Sequence, residues 1–215
     1  MFNKIFKSKN YLFIFKIIVT EEQVIKYAAA AEERRKRILS LLGYKDGCME
    51  KKAVYIVDMS ENENMQSGQG NSQCIHLYIN SINEIMQDCN LVIHEETHFL
   101  LFNLYPQISV FLNEGIAEFI CWEYTKKDIP QDFMDNFRYI KEISRDMILS
   151  NDNWLKYYSQ RGIWIYGIAY LFVKCTLGSK FTVRELLDSV YINNQTELIN
   201  QGLKACIIMN EGKNG

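Results

Sequence analysis

The chain has 215 residues, 48% hydrophobic and 23% charged, with a formal net charge of −2. Such a chain can bury a core without disulfide or metal staples, and its slightly acidic balance excludes the electrostatic footprint of a nucleic-acid binder. Its six cysteines, Cys48, Cys74, Cys89, Cys121, Cys175 and Cys206, contain no CxxC pair. That spacing excludes a zinc ribbon or a small disulfide scaffold, and the expectation is buried thiols in a reducing, cytoplasmic setting; the alternative, given the even count, is an oxidised form in a secreted or membrane-associated protein.

Residues 11–19 (YLFIFKIIV) are β-branched and aromatic and predict a strand. The run is too short for a membrane span, carries Lys16 inside it and lacks a small-residue cleavage site, so neither a span nor a signal peptide is expected. Thr20 to Gln23 reads as a capping box opening a helix to about Leu42, with Gly43 at the C-cap. The basic run Arg34-Arg35-Lys36-Arg37 reads as the solvated face of that helix. Strands are expected at Ala53–Val57 and Cys74–Asn80. The polar stretch ENENMQSGQGNS between them predicts a loop and a flap.

From Cys89 onward the pattern is helical. Asn90 is placed to cap a helix through Phe102, ended by Pro106, and a second helix covers Val110 to Tyr124. A third stretch starts at Pro130 and runs to about Leu149, followed by 162–177 and by 182–190, which opens with a capping box from Thr182 to Glu185. The expected fold class is α+β, a single domain over 1–215. It would comprise an α/β lobe over 1–88 and a mainly helical lobe over 89–215.

Residues 94–98 read His-Glu-Glu-Thr-His and hold two of the chain's three histidines. Residues four apart on a helix are offset by roughly 40° around its axis, so both imidazoles face one way and can share a Zn²⁺. Glu95, between them, is placed to reach a water on that ion and act as general base. The apolar flanks Leu91-Val92-Ile93 and Phe99-Leu100-Leu101 suit a helix buried in the middle of an enzyme. The alternative is a buried helix whose histidines merely bond backbone carbonyls.

A catalytic zinc needs a third protein ligand and an open position. Asn113-Glu114-Gly115-Ile116-Ala117-Glu118 follows the first motif. Together the two segments resemble the gluzincin metallopeptidases, the group of thermolysin, and the NEGxAE form is similar to peptidase MA-like proteins. The resemblance implies a thermolysin-like architecture, one Zn²⁺ per chain held by His94, His98 and Glu114, and Glu118 bonding a ligand histidine. It also implies a peptide or protein substrate. Gluzincins use a downstream Tyr or His as second oxyanion donor, and no histidine follows His98. Tyr157, Tyr158, Tyr166, Tyr170 and Arg161 are the candidates. Tyr166 is favoured because its segment, Tyr166 to Val173, resembles the family's, and Tyr158 comes next. His76 lies on the strand expected to form the cleft edge, where it would touch substrate or simply face solvent. The alternative to an enzyme is a zinc-binding pseudoenzyme or sensor that recognises a protein partner. A regulator that unlocks a repressor fits less well, because the chain has no DNA-binding part. An intact Glu95 favours turnover.

Overall fold

The computed structural model describes residues 4–45, 52–61, 68–129, 131, 135–154, 156, 164–178 and 180–211. They form a mixed α and β structure with one five-stranded sheet, dividing into two compact units. One unit holds residues 1–40 and 44–104; the other holds 41–43 and 105–215. The sequence expectation drew its boundary at 88/89.

In the first unit the order is β1 (Lys4–Lys7), β2 (Tyr11–Phe15), α1 (Glu21–Leu42), β3 (Lys52–Asp58), β4 (Gly68–Gly70), β5 (Cys74–Ile79), α2 (Ile82–Gln87) and α3 (Asn90–Leu104). Across the sheet the order is β1-β2-β3-β5-β4. The central strands β2, β3 and β5 run parallel, and β1 and β4 flank them antiparallel. The β2 strand ends at Phe15, short of the expected Val19, and β1 was not foreseen. Strict alternation buries Tyr11, Phe13 and Phe15, where Phe13 and Phe15 meet the Tyr27 ring of α1 edge-on at 5.4 and 6.2 Å. Rings buried this way contribute about 1.5–3 kcal/mol each. On α1, Val24, Tyr27, Ala28, Ala31, Ile38, Leu39 and Leu42 are buried at helical spacing.

The α1 cap matches expectation. Gln23 N–H donates to Thr20 Oγ1, Thr20 N–H donates to Gln23 Oε1, and Gly43 takes the left-handed φ of +88° that ends the helix. The solvated basic face does not survive, for Arg34 and Arg35 are buried. The loop expected between β3 and β5 needs correcting too. A 3₁₀ turn covers Met59–Glu61, residues 62–67 lie outside the described residues, and Gly68–Gly70 pairs with β5 as a strand. That makes β5 internal and β4 the sheet edge, so His76 is not on an edge strand.

The second unit contains α4 (Val110–Thr125), a 3₁₀ turn (Asn136–Glu142), α5 (Arg145–Leu149), α6 (Trp164–Leu177), α7 (Val183–Leu187), a π turn (Asp188–Ile192) and α8 (Glu197–Glu211). The helix expected to run to Leu149 is broken, since Ser144 caps a fresh start by accepting from Met147 N–H at 3.2 Å; Pro130 lies outside the described residues. The Thr182–Glu185 capping box is present. Phe111, Phe172 and Trp154 make edge-on contacts in its core. Leu41–Gly43 belong to this unit, where a Cβ on Gly43 would lie 2.9 Å from Arg184 Cβ. Among the described residues, no helix is long and apolar enough to cross a membrane.

Candidate metal centre

The helix α3 is apolar nearly all round, and Val92, Ile93, Phe99, Leu100 and Leu101 are buried. A helix of that kind is held from every side. Its polar residues therefore need dedicated partners. Thr97 donates back to Ile93 O at 2.7 Å. The i,i+4 pair His94 and His98 turn their Nε2 atoms to face each other at 2.9 Å, with rings perpendicular.

Glu95 is buried, and its Oε2 accepts from Gly70 N–H of the edge strand at 2.6 Å. Only glycine allows that approach. A Cβ at position 70 would lie 2.1 Å from Glu95 O, and one at position 68 would lie 2.6 Å from Glu95 Cγ. The GQG segment thus lays bare backbone against the glutamate expected to act as base. The next residue, Glu96, faces a different set of groups. Arg34 Nε of α1 donates to its Oε2 at 3.2 Å and Tyr11 Oη donates to its Oε1, all buried. Burial pushes the Glu96 carboxyl well above the usual range, and the guanidinium and phenol beside it give its buried oxygens hydrogen-bond partners.

In the second unit, Ser109 caps α4: its Oγ accepts from Leu112 N–H at 3.3 Å and donates to Ile148 O. This fixes the start of the helix one turn before Glu114. Within NEGxAE, Asn113 and Ala117 are buried, and a Cβ on Gly115 would lie 2.5 Å from Ala169 O of α6. The glycine is there for a close helix crossing. Glu118 Oε2 accepts from Trp122 Nε1 at 3.2 Å.

His94, His98 and Glu114 form a group that could hold a metal ion: one ligand atom from each lies within 4.8 Å of the others. On a tetrahedral ion with arms of 2.0–2.1 Å, donors sit about 3.3 Å apart. The imidazole nitrogens at 2.9 Å are already near that spacing. Two imidazoles and one carboxylate are also the donor set of a catalytic zinc. The group could therefore hold a metal ion.

The other expected residues are placed as follows. Tyr166 packs edge-on against Trp154 at 5.5 Å. Tyr170 is buried and accepts from Lys174 Nζ at 3.1 Å; burial first, then Glu123, Cys175 and Glu118, hold its phenol above the usual range. Tyr157, Tyr158 and Arg161 lie outside the described residues. His76 is half-buried and stacks on Tyr55 at 4.7 Å, and burial and Lys16 lower its pKa. Gly68, Gly70, Glu96, Arg34 and Tyr11 escaped the sequence reading. The signals were faint: a GxG in a polar stretch and a second glutamate inside HEETH. No family model matches the chain, and no curated protein matches it either.

Proposed function

We propose that the chain is a zinc-dependent metallopeptidase with a thermolysin-like, gluzincin arrangement, hydrolysing peptide or protein substrates. The observation that carries this reading is that the ligand atoms of His94 and His98, on the helix that also supplies Glu95, and of Glu114 on α4 lie within 4.8 Å of one another. Bound there, zinc would act as a Lewis acid toward the scissile carbonyl and make water easier to deprotonate.

The chain's own groups do the rest. Glu95 accepts the proton of the attacking water and returns it to the leaving amine. Gly70 N–H fixes its Oε2, so the carboxylate is held in one orientation and Oε1 is the oxygen left to take the proton. Such orientation is worth a large part of a barrier. Arg34 and Tyr11 keep the neighbouring Glu96 from competing, because both of its oxygens are engaged. Tyr166 is the proposed oxyanion donor and Glu118 the proposed partner of a ligand histidine.

The test is metal analysis joined to a peptide-library cleavage assay, comparing native protein with Glu95→Gln. One zinc per chain and cleavage that the variant loses support the reading. A Glu95→Gln protein cutting at the native rate ends it.

A further inference from the structure

We infer that Cys175, Cys206 and Met209 form a site for a soft monovalent metal ion of the Cu(I) class, separate from the His94, His98 and Glu114 group. The site arises from helix packing. A Cβ on Gly202 of α8 would lie 2.0 Å from Thr176 Oγ1 and 3.1 Å from Phe172 Cε2 of α6, so only glycine lets these helices come this close. Cys206 follows Gly202 by one turn of α8, Met209 follows Cys206 by three residues, and Cys175 precedes Thr176 on α6. Residues three or four apart share a helix face. Both sulfurs of α8 thus come to the one on α6.

The contacts bear this out. Cys175 Sγ donates to Met209 Sδ at 3.3 Å, and Cys175 is the neighbour whose thiol acts most strongly on that of Cys206. Cys175 and burial push the Cys206 thiol above its usual range. The three residues run from core to surface: Cys206 is 1% exposed, Cys175 is half-buried, and Met209 is 44% exposed.

Two thiols and a thioether make a soft donor set, which selects Cu(I) over hard, oxygen-seeking cations. Three sulfurs suit that ion better than zinc, which takes four donors in closed sites. Binding one Cu(I) converts both thiols to thiolates and releases two protons, with no change of oxidation state at sulfur or metal. A disulfide would use only the two cysteines and would leave the Met209 contact without a role.

Fully reduced protein is titrated anaerobically against the Cu(I) complex of a coloured chelator, and iodoacetamide labelling is mapped with and without Cu(I). We expect one Cu(I) to be withdrawn from the chelator and labelling of Cys175 and Cys206 to be suppressed. Cys175→Ser should abolish the effect. Met209→Leu changes a part-exposed side chain conservatively and should weaken binding roughly 10–100-fold, the loss typical when a metal's support is removed. Any of three results overturns the site: equal Cu(I) affinity in native protein and Met209→Leu, protection confined to Cys74, Cys89 or Cys121, or reduced protein that forms a Cys175–Cys206 disulfide and takes up no Cu(I).

Discussion

At position 95 a carboxylate meets a backbone N–H, and at position 96 the next carboxylate meets a guanidinium and a phenol. The two should answer differently to the same change. Glu95→Gln keeps the ligand atoms and should keep stoichiometric zinc while turnover falls about 10²–10⁴-fold, as measured by metal analysis and steady-state kinetics. Gly70→Ala removes no reacting group but sets a Cβ 2.1 Å from Glu95 O, so strand and helix must part. A misplacement near 1 Å costs about 10²-fold. Turnover should drop by that order while zinc affinity, read by chelator competition, stays native. At Glu96 the expected loss is stability. Arg34→Met takes a donor from a buried carboxyl and should cost about 1–3 kcal/mol in urea unfolding, partly recovered in the Arg34→Met, Glu96→Gln double variant.

Elements are joined by contacts that run across the sequence. Glu32 of α1 accepts from Ser8 Oγ at 2.5 Å, Asn10 N–H at 2.7 Å and Asn10 Nδ2 at 2.6 Å, tying the β1–β2 turn to the helix. Partial burial raises its pKa, but these bonds and the charge of Arg35 outweigh it, so the net shift is downward. A depressed folded pKa stabilises above the unfolded value and is lost as pH falls through the folded one. Acid titration of unfolding midpoints should therefore be shallower in Glu32→Gln below about pH 4.5. At the α4–α6 crossing, Gly115→Ala should destabilise by about 1–3 kcal/mol and weaken zinc binding through the neighbouring Glu114. Helix ends were legible because their signals are local: Thr20 with Gln23, Thr182 with Glu185, and Gly43. The histidine pair was legible for the same reason. The GQG strand was not, because it has no apolar alternation and owes its place to β5 and Glu95. Nor were buried Arg34 and Arg35, since the partner that makes Arg34 tolerable is Glu96, 62 residues away. The helix α8 also went unread, although its close packing at Gly202 explains it once the fold is known.

For the molecule as a whole, the aromatic and aliphatic cores of both units predict that a chelator will abolish the proposed peptidase activity without unfolding the chain. Far-UV circular dichroism should persist, with the melting temperature lowered only by the lost binding energy. Cys74, Cys89, Cys121, Cys175 and Cys206 are thiols, of which Cys121 and Cys206 are buried and the others half-buried, so the uniformly buried set expected from sequence is not found. The proposed cytoplasmic setting predicts six titratable thiols in denatured, unreduced protein. Finally, residues 41–43 count with the second unit although 1–40 and 44–104 form the first. The second unit therefore cannot be cut out as one contiguous cassette. A fragment starting at Tyr105 would leave behind Leu42, fully buried, and the glycine that Arg184 packs on. Gene fusions or exchanges joined at 104/105 should yield halves without cooperative unfolding, whereas an exchange that also carries residues 41–43 keeps the unit's full set of parts.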